Sequence, residues 1–264
     1  MTATSQLLHV AFIGDVVGHP GFEAIRKGLP RLRKQLPVDL VIANGENASG
    51  GFGLTEKSYH QLRDFGVDVI TLGNHAWDKK EIFDFIDDAE RVVRPANYPP
   101  GTPGRGYTCL QAGGVTVAVM QLMGRAFINI GDCPFQVAER ELKKVKTQAK
   151  VVLVDMHAEA SSEKLALAFM LDGQVSAIIG THTHVQTADE QIFPRGTGYI
   201  TDAGMTGPRD SILGIRSELA LKRIREQVPI RFEVGDGEGV FSAVWLAIDK
   251  QTGRTQQIQR IFYR

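Results

Sequence analysis

The sequence predicts an α/β fold with mixed sheets, and three observations lead there. Leu7 to Ile13, Val38 to Ala43, Val67 to Leu72, Val151 to Val154 and Val175 to Ile179 are short apolar runs rich in β-branched residues, the pattern of strands buried on both faces. A helical spacing of apolar residues separates the first of these runs, so the chain opens as βαβα. The C-terminal part alternates with period two instead, which adds antiparallel strands.

The elements follow in order. Gly21 to Leu36 sets Phe22, Ile25, Leu29, Leu32 and Leu36 at helical spacing, and Pro30 within it predicts a break or kink. Thr55 is placed to cap a helix ending near Phe65, and Lys79 to Glu90 predicts a third helix. Arg94 to Gly106 holds four prolines and three glycines, which makes it a turn-rich connection. Tyr107 to Leu110 and Val115 to Leu122 form a hairpin around Gly113-Gly114. Met123 to Pro134 has no clear period and predicts an excursion, a small cap around residues 123–148 within one domain spanning 1–264. Gln136 to Gln148, Glu163 to Leu171 and Ser217 to Val228 are helical, the last basic and amphipathic. Ile230 to Val234, Val240 to Ile248 and Gln256 to Tyr263 read as strands, with a turn at Asp249 to Gly253.

Composition narrows the function. The 264 residues carry 30 Lys+Arg against 30 Asp+Glu, so no excess of basic residues is available to neutralise bulk nucleic-acid phosphate. Any phosphate chemistry must come from a local site. The chain has no apolar run of membrane-spanning length, and Met1 to Gln6 lack the features of a signal peptide, so a cytoplasmic protein without membrane association is expected. Cys109 and Cys133 do not make a paired motif and read as free thiols.

Chemistry-bearing residues recur at the ends of the apolar runs. They stand as Gly14-Asp15, Asn44-Gly45-Glu46-Asn47, Gly73-Asn74-His75, Asp155-Met156-His157 and Thr181-His182-Thr183-His184. In open α/β sheets ligands bind outside the carboxyl ends of the strands. Taken singly, Gly14-Asp15 also reads as a turn with a capping Asp, and His75 and His157 also read as loop histidines. His182-x-His184 is more specific, because two imidazoles two apart at a strand end can share a metal or serve adjacent metals. His9 and His60 read as structural, and His19 is a candidate substrate contact.

In order and identity these motifs resemble the calcineurin-like metallophosphoesterase superfamily. FIGDVVG, ANGENASGGFGLT, GNHAWD, DMHAE, GTHTHVQTAD and YITDAGMTG are closer still to its bacterial YmdB-like branch, over Phe12 to Gly207. The resemblance implies a four-layer α/β/β/α sandwich of mixed sheets and two divalent metal ions, with Fe or Mn favoured and Zn also suitable. Asp15, Glu46, Asn47 and His184 would hold one ion. Glu46, Asn74, His157 and His182 would hold the other, with Glu46 bridging. Val17 stands where the superfamily has a histidine, and Glu46 replaces the usual Asp; the neutral oxygen of Asn47 makes that ion's surroundings harder.

The implied reaction is phosphodiester hydrolysis by a hydroxide held between the ions, with His75 as general acid. The leading substrates are 2',3'-cyclic nucleotides, opened to 3'-monophosphates. A phosphomonoesterase or protein phosphatase on the same site, and a nucleotide-binding regulatory protein with incidental hydrolysis, are the alternatives. Phe52, Trp77 and Tyr199 flank the motifs and are candidates to stack on a base, with packing as their other reading. Asp202 and Thr206 are candidate phosphate or supporting contacts, and a homo-oligomer is compatible with all of this.

Overall fold

The computed structural model describes residues 6–128 and 131–264. One mixed sheet is built from β1 (Leu7–Ile13), β2 (Asp15–Val16), β3 (Leu40–Asn44), β4 (Val69–Thr71) and β5 (Val92–Val93) together with three late strands. The second comprises β6 (Tyr107–Ala112), β7 (Val115–Met123), β8 (Val151–His157), β9 (Ala177–Thr181), β10 (Gln191–Ile192) and β11 (Gly198–Ile200). The late strands of the first sheet are β12 (Met205–Pro208), β13 (Gly239–Asp249) and β14 (Thr255–Tyr263). Its order is β2-β12-β13-β1-β3-β4-β5 with β14 also on β13, and the second sheet runs β10-β11-β9-β8-β7-β6.

The helices are α1 (Gly18–Gln35), α2 (Glu56–Asp64), α3 (Pro134–Val145), α4 (Ser161–Leu171) and α5 (Ser217–Glu226). Strand alternation explains the layering. In β1, Leu8, Val10 and Phe12 face the second sheet, while Ala11 and Ile13 face α1 and α2. In β8, Val151 and Leu153 enter the same inter-sheet core, while Val152, Val154 and Met156 pack on α3 and α4. Because successive side chains point to opposite faces, each apolar run feeds two cores, and the result is α/β/β/α in four layers.

Within the first sheet β1, β3, β4 and β5 are parallel, and within the second β7, β8, β9 and β11 are parallel. The carboxyl ends of neighbouring strands are therefore level. Asn44 sits opposite Thr71, and His157 opposite Thr181. The β6–β7 and β13–β14 hairpins form where expected, the first turning through Gly113 and Gly114, both at positive φ.

Three expectations change. Pro30 does not break α1: it lies on the exposed side, where its missing N–H is offset by burial of Ile25, Leu29 and Leu32 opposite. Lys79 to Glu90 is a short 3-10 helix, Lys80–Asp84, followed by turns, although Ile82, Phe85, Ile86 and Ala89 still enter the core. Ile230 to Val234 is not a strand; its one ladder contact is a bridge from Val234 to Ile215. The excursion expected around 123–148 is a connection after Met123, in which residues 129 and 130 lie outside the described residues, and then α3, which packs on the second sheet as a layer helix.

Candidate metal centre

A buried polar network joins the sheets directly beneath the strand ends. Asp155, on β8 of the second sheet, accepts from Thr71 Oγ1 of β4 at 2.5 Å and from Asn44 Nδ2 of β3 at 3.2 Å. Its other oxygen accepts from Thr181 Oγ1 at 2.6 Å. Having spent its proton on Asp155, the Thr181 hydroxyl is left to accept from His157 Nδ1 at 2.9 Å. That fixes the tautomer, with the Nε2 lone pair turned into the site.

His157 Nε2 lies 3.0 Å from Glu46 Oε1, 3.0 Å from Asn74 Oδ1 and 3.0 Å from His182 Nδ1. One ring nitrogen carries at most one proton and cannot satisfy three such neighbours. A divalent cation accepting a lone pair from each of the four atoms resolves the conflict. Glu46, His157 and His182 offer ligand atoms that all lie within 4.8 Å of one another. Beside them Asp15, wholly buried, leaves Oδ1 without a hydrogen-bond partner, 3.9 Å from His184 Nε2. His184 Nδ1 donates to the carbonyl of Leu213 at 3.0 Å, which again leaves Nε2 as the free lone pair. The Asn47 amide lies against both Glu46 Oε1 and His184 Nε2, 3.3 and 3.1 Å away, and a half-turn of its amide presents oxygen to the same point. The donor set fits divalent metal.

The backbone is shaped around this cluster. His182 and His184 adopt φ values of 95° and 65°, a region that side-chain-bearing residues rarely occupy. The turn between them is held from below by Asp202, which accepts from both the N–H and the hydroxyl of Thr183 at 3.0 and 2.7 Å. Asp202 is in turn paired with Lys164 at 2.8 Å, both side chains fully buried. A Cβ at Gly73 would fall on Glu46 Oε2 and His157 Nε2, so only glycine fits there.

Charge follows from this crowding. Burial pushes Asp15 up to about 6 and Asp155 up to about 7. Burial also opposes charge on Glu46, but His157 and His75 outweigh it and bring the carboxyl down to about 2. Burial opposes charge on His157 too, yet Glu46, Asp15 and Asp155 raise it to about 9, while burial and neighbouring His157 lower His182 to about 3.

Around the cluster is a cavity of about 380 Å³ whose lining includes Glu46, Asn47, Phe52, His75, His182 and His184. His75 donates its backbone N–H to Glu46 Oε2 at 3.1 Å, and its ring Nδ1 lies 2.8 Å from Asp78 Oδ2. Asp78 was not singled out from the sequence, although its position three after His75 in GNHAWD is the signal. Glu159, also at the cavity, reaches His182 Nε2 at 3.1 Å. Lys164 had no motif to mark it, and Asp155 stands in the DMHAE motif without a sign there that it bonds across to the other sheet.

The proposed metal ligands and His75 are thus brought together, and Phe52 lies at the cavity, its ring centroid 5.0 Å from that of His75. Other candidates fall elsewhere. Tyr199 is fully buried in the outer core of the second sheet, its hydroxyl 2.9 Å from Thr201, so it cannot stack on a base. Thr206 is fully buried and exchanges hydrogen bonds with the backbone of Ser242, which makes it a strand-pairing residue. Trp77 stacks on Phe83 and leans on Tyr98 outside the cavity lining, and His19 is exposed in the otherwise buried first turn of α1, also outside that lining.

A sandwich of this order with a histidine–carboxylate cluster at its strand ends is a metallophosphoesterase-type protein. The chain belongs to the YmdB-like protein family, whose model matches residues 11–261. It is 50% identical over 254 residues to the 2',3'-cyclic-nucleotide 2'-phosphodiesterase of Bacillus subtilis, covering 96% of each chain. It superposes with a TM-score of 0.91 and 47% identity on a hypothetical protein from Thermus thermophilus, over 97% of this chain and 99% of that one. A novel phosphatase of Mycoplasma pneumoniae matches with a TM-score of 0.92 and 32% identity, over 97% and 93%.

Two outcomes test this account of the site. Lys164→Met leaves Asp202 buried and unpaired, and should cost about 3–5 kcal/mol in denaturant unfolding; a cost near zero contradicts the pairing. Asp15, Asp155 and His157 all hold protons to higher pH when folded, His182 alone opposes them, and Glu46 acts only below this range. The metal-free folded chain therefore binds more protons than the unfolded one, and its stability should fall between about pH 5 and about pH 8. Added Mn²⁺ competes for the same lone pairs, so the rise in Tm that it causes should grow over that interval; thermal melts with and without Mn²⁺ check both signs.

Proposed function

We propose that this protein is a dinuclear-metal phosphodiesterase that opens 2',3'-cyclic nucleotides to 3'-monophosphates. The observation carrying the proposal is the convergence of Glu46, Asn74, His157 and His182 on one point beside the unpartnered Oδ1 of Asp15, with the His75–Asp78 pair on the same cavity. The activity named for the 50% identical Bacillus subtilis relative supports the choice of substrate.

Asp15, Glu46, Asn47 and His184 would hold one divalent ion, and Glu46, Asn74, His157 and His182 the other, Fe or Mn before Zn. When bound, two such ions supply positive charge to the phosphate oxygens and a water acidic enough to attack at neutral pH. The chain's own contribution is to aim and to move a proton. Glu46 is held ionised by the imidazoles around it, so it is ready as a ligand throughout the neutral range. Thr181 and the Leu213 carbonyl set the tautomers of His157 and His184. Asp78 holds the Nδ1 proton of His75, and the ring's Nε2 then delivers a proton to the 2'-oxygen as its bond to phosphorus breaks. The water oxygen becomes the new phosphorus substituent, leaving a 3'-monophosphate and a 2'-hydroxyl.

His75→Ala should lower kcat on a 2',3'-cyclic nucleotide by about 10²–10⁴ while metal content is kept. Asp15→Ala should lose metal as well as turnover. Metal analysis alongside rates on cyclic nucleotides, a nucleotide monophosphate and a phosphopeptide checks both; unchanged turnover in His75→Ala, or faster cleavage of the monoesters, contradicts the proposal.

A further inference from the structure

The cavity has two kinds of lining. Beside the histidines and Glu46 it has an apolar wall, made by Val17, Phe52, Leu213, Ile215, Phe232 and Val234. Two chain segments, 213–215 and 232–234, supply most of that wall and are tied to each other. Ile215 bridges to Val234, Arg216 N donates to the Glu233 carbonyl at 3.0 Å, and Gly235 N donates to the Gly214 carbonyl at 2.9 Å. Close approach is built in, since a Cβ on Gly18 or Gly51 would come within 2.9 Å of a Val234 methyl. The wall is also tied to the metal centre, because the carbonyl it offers at Leu213 is the acceptor for His184 Nδ1. Its distance from His184 is therefore fixed by the fold.

Phe232 is half-buried, and among the described residues no other ring packs against it. No lysine or arginine lines the cavity, whereas Glu159 and Glu233 do. Away from the metal ligands a second phosphate on the ligand would meet carboxylates and no basic side chain, while an uncharged flat ring would meet apolar surface. We propose that this wall is the seat of the nucleobase, with Phe232 as its stacking face. It selects nucleosides carrying one phosphodiester over those bearing further phosphates. The inference rests on the phosphodiesterase reading for its substrate and on the wall alone for its location.

The test compares adenosine 2',3'-cyclic phosphate, the same compound with an added 5'-phosphate, and ribose 2',3'-cyclic phosphate lacking the base, on the Mn²⁺-loaded protein. Wild type should favour the first over both others in kcat/KM. Phe232→Ala should shrink its preference over the base-free diester by about 5- to 100-fold, chiefly through KM, and Phe232→Tyr should restore it. Calorimetry of adenosine with the metal-free protein should show binding that Phe232→Ala weakens. Equal use of the nucleotide and the base-free diester by wild type, or an undiminished preference in Phe232→Ala, overturns the seat. Adenosine binding at Phe232 without turnover of any diester would instead sink the phosphodiesterase reading and leave the seat standing.

Discussion

The site depends on one buried carboxylate, Asp155, placed where the two sheets meet. Removing a carboxylate from water is expensive unless donors replace the water. Thr71 and Asn44 from the first sheet and Thr181 from the second supply them, so two of the three bonds that satisfy Asp155 also lock the sheets together. The lock is level with the strand ends. Above it the Thr181 hydroxyl has only acceptor capacity left for His157, and His157 in turn faces Glu46, Asn74 and His182. A layer of buried acids and imidazoles aimed at one another suits bound cations, and under the proposed function these would supply the positive charge that a chain with 30 basic and 30 acidic residues does not show.

Much of this was legible in the sequence because burial on both faces leaves a plain signature. The runs ending at Ile13, Ala43, Leu72, Val154 and Ile179 are largely apolar, and the polar residues that follow them stand out by contrast. Asp15, Glu46, Asn74, His157 and His182 could be found by that contrast alone. Parallel pairing levels the strand ends within each sheet, and the packing of the two sheets then brings them together across more than 160 residues of chain, as in the bond from His182 N to Asp15 Oδ2.

What was not legible has physical causes. Tyr199 lies next to a site loop in sequence, but strand alternation turns it into the outer core. Thr206 was misplaced for a similar reason: its hydroxyl serves β13 through Ser242. Lys164 reads as one more helix-surface lysine, and only the closeness of α4 to the 201–204 loop makes it the buried partner of Asp202. The stripe of Ile82, Phe85, Ile86 and Ala89 has helical spacing, yet consecutive tight turns bury the same residues without a continuous helix. The apolar wall escaped because Ile230 to Val234 looks like a strand, and its real partner is a two-residue bridge reached across α5.

Under the proposed function the strand-end residues hold two adjacent cations that share Glu46. Anomalous diffraction from crystals of the Mn²⁺-loaded protein reads both positions. Two peaks per chain are predicted, one between Asp15, Asn47 and His184 and one between Asn74, His157 and His182, with Glu46 reaching both. A single peak, or peaks away from these side chains, would contradict the account.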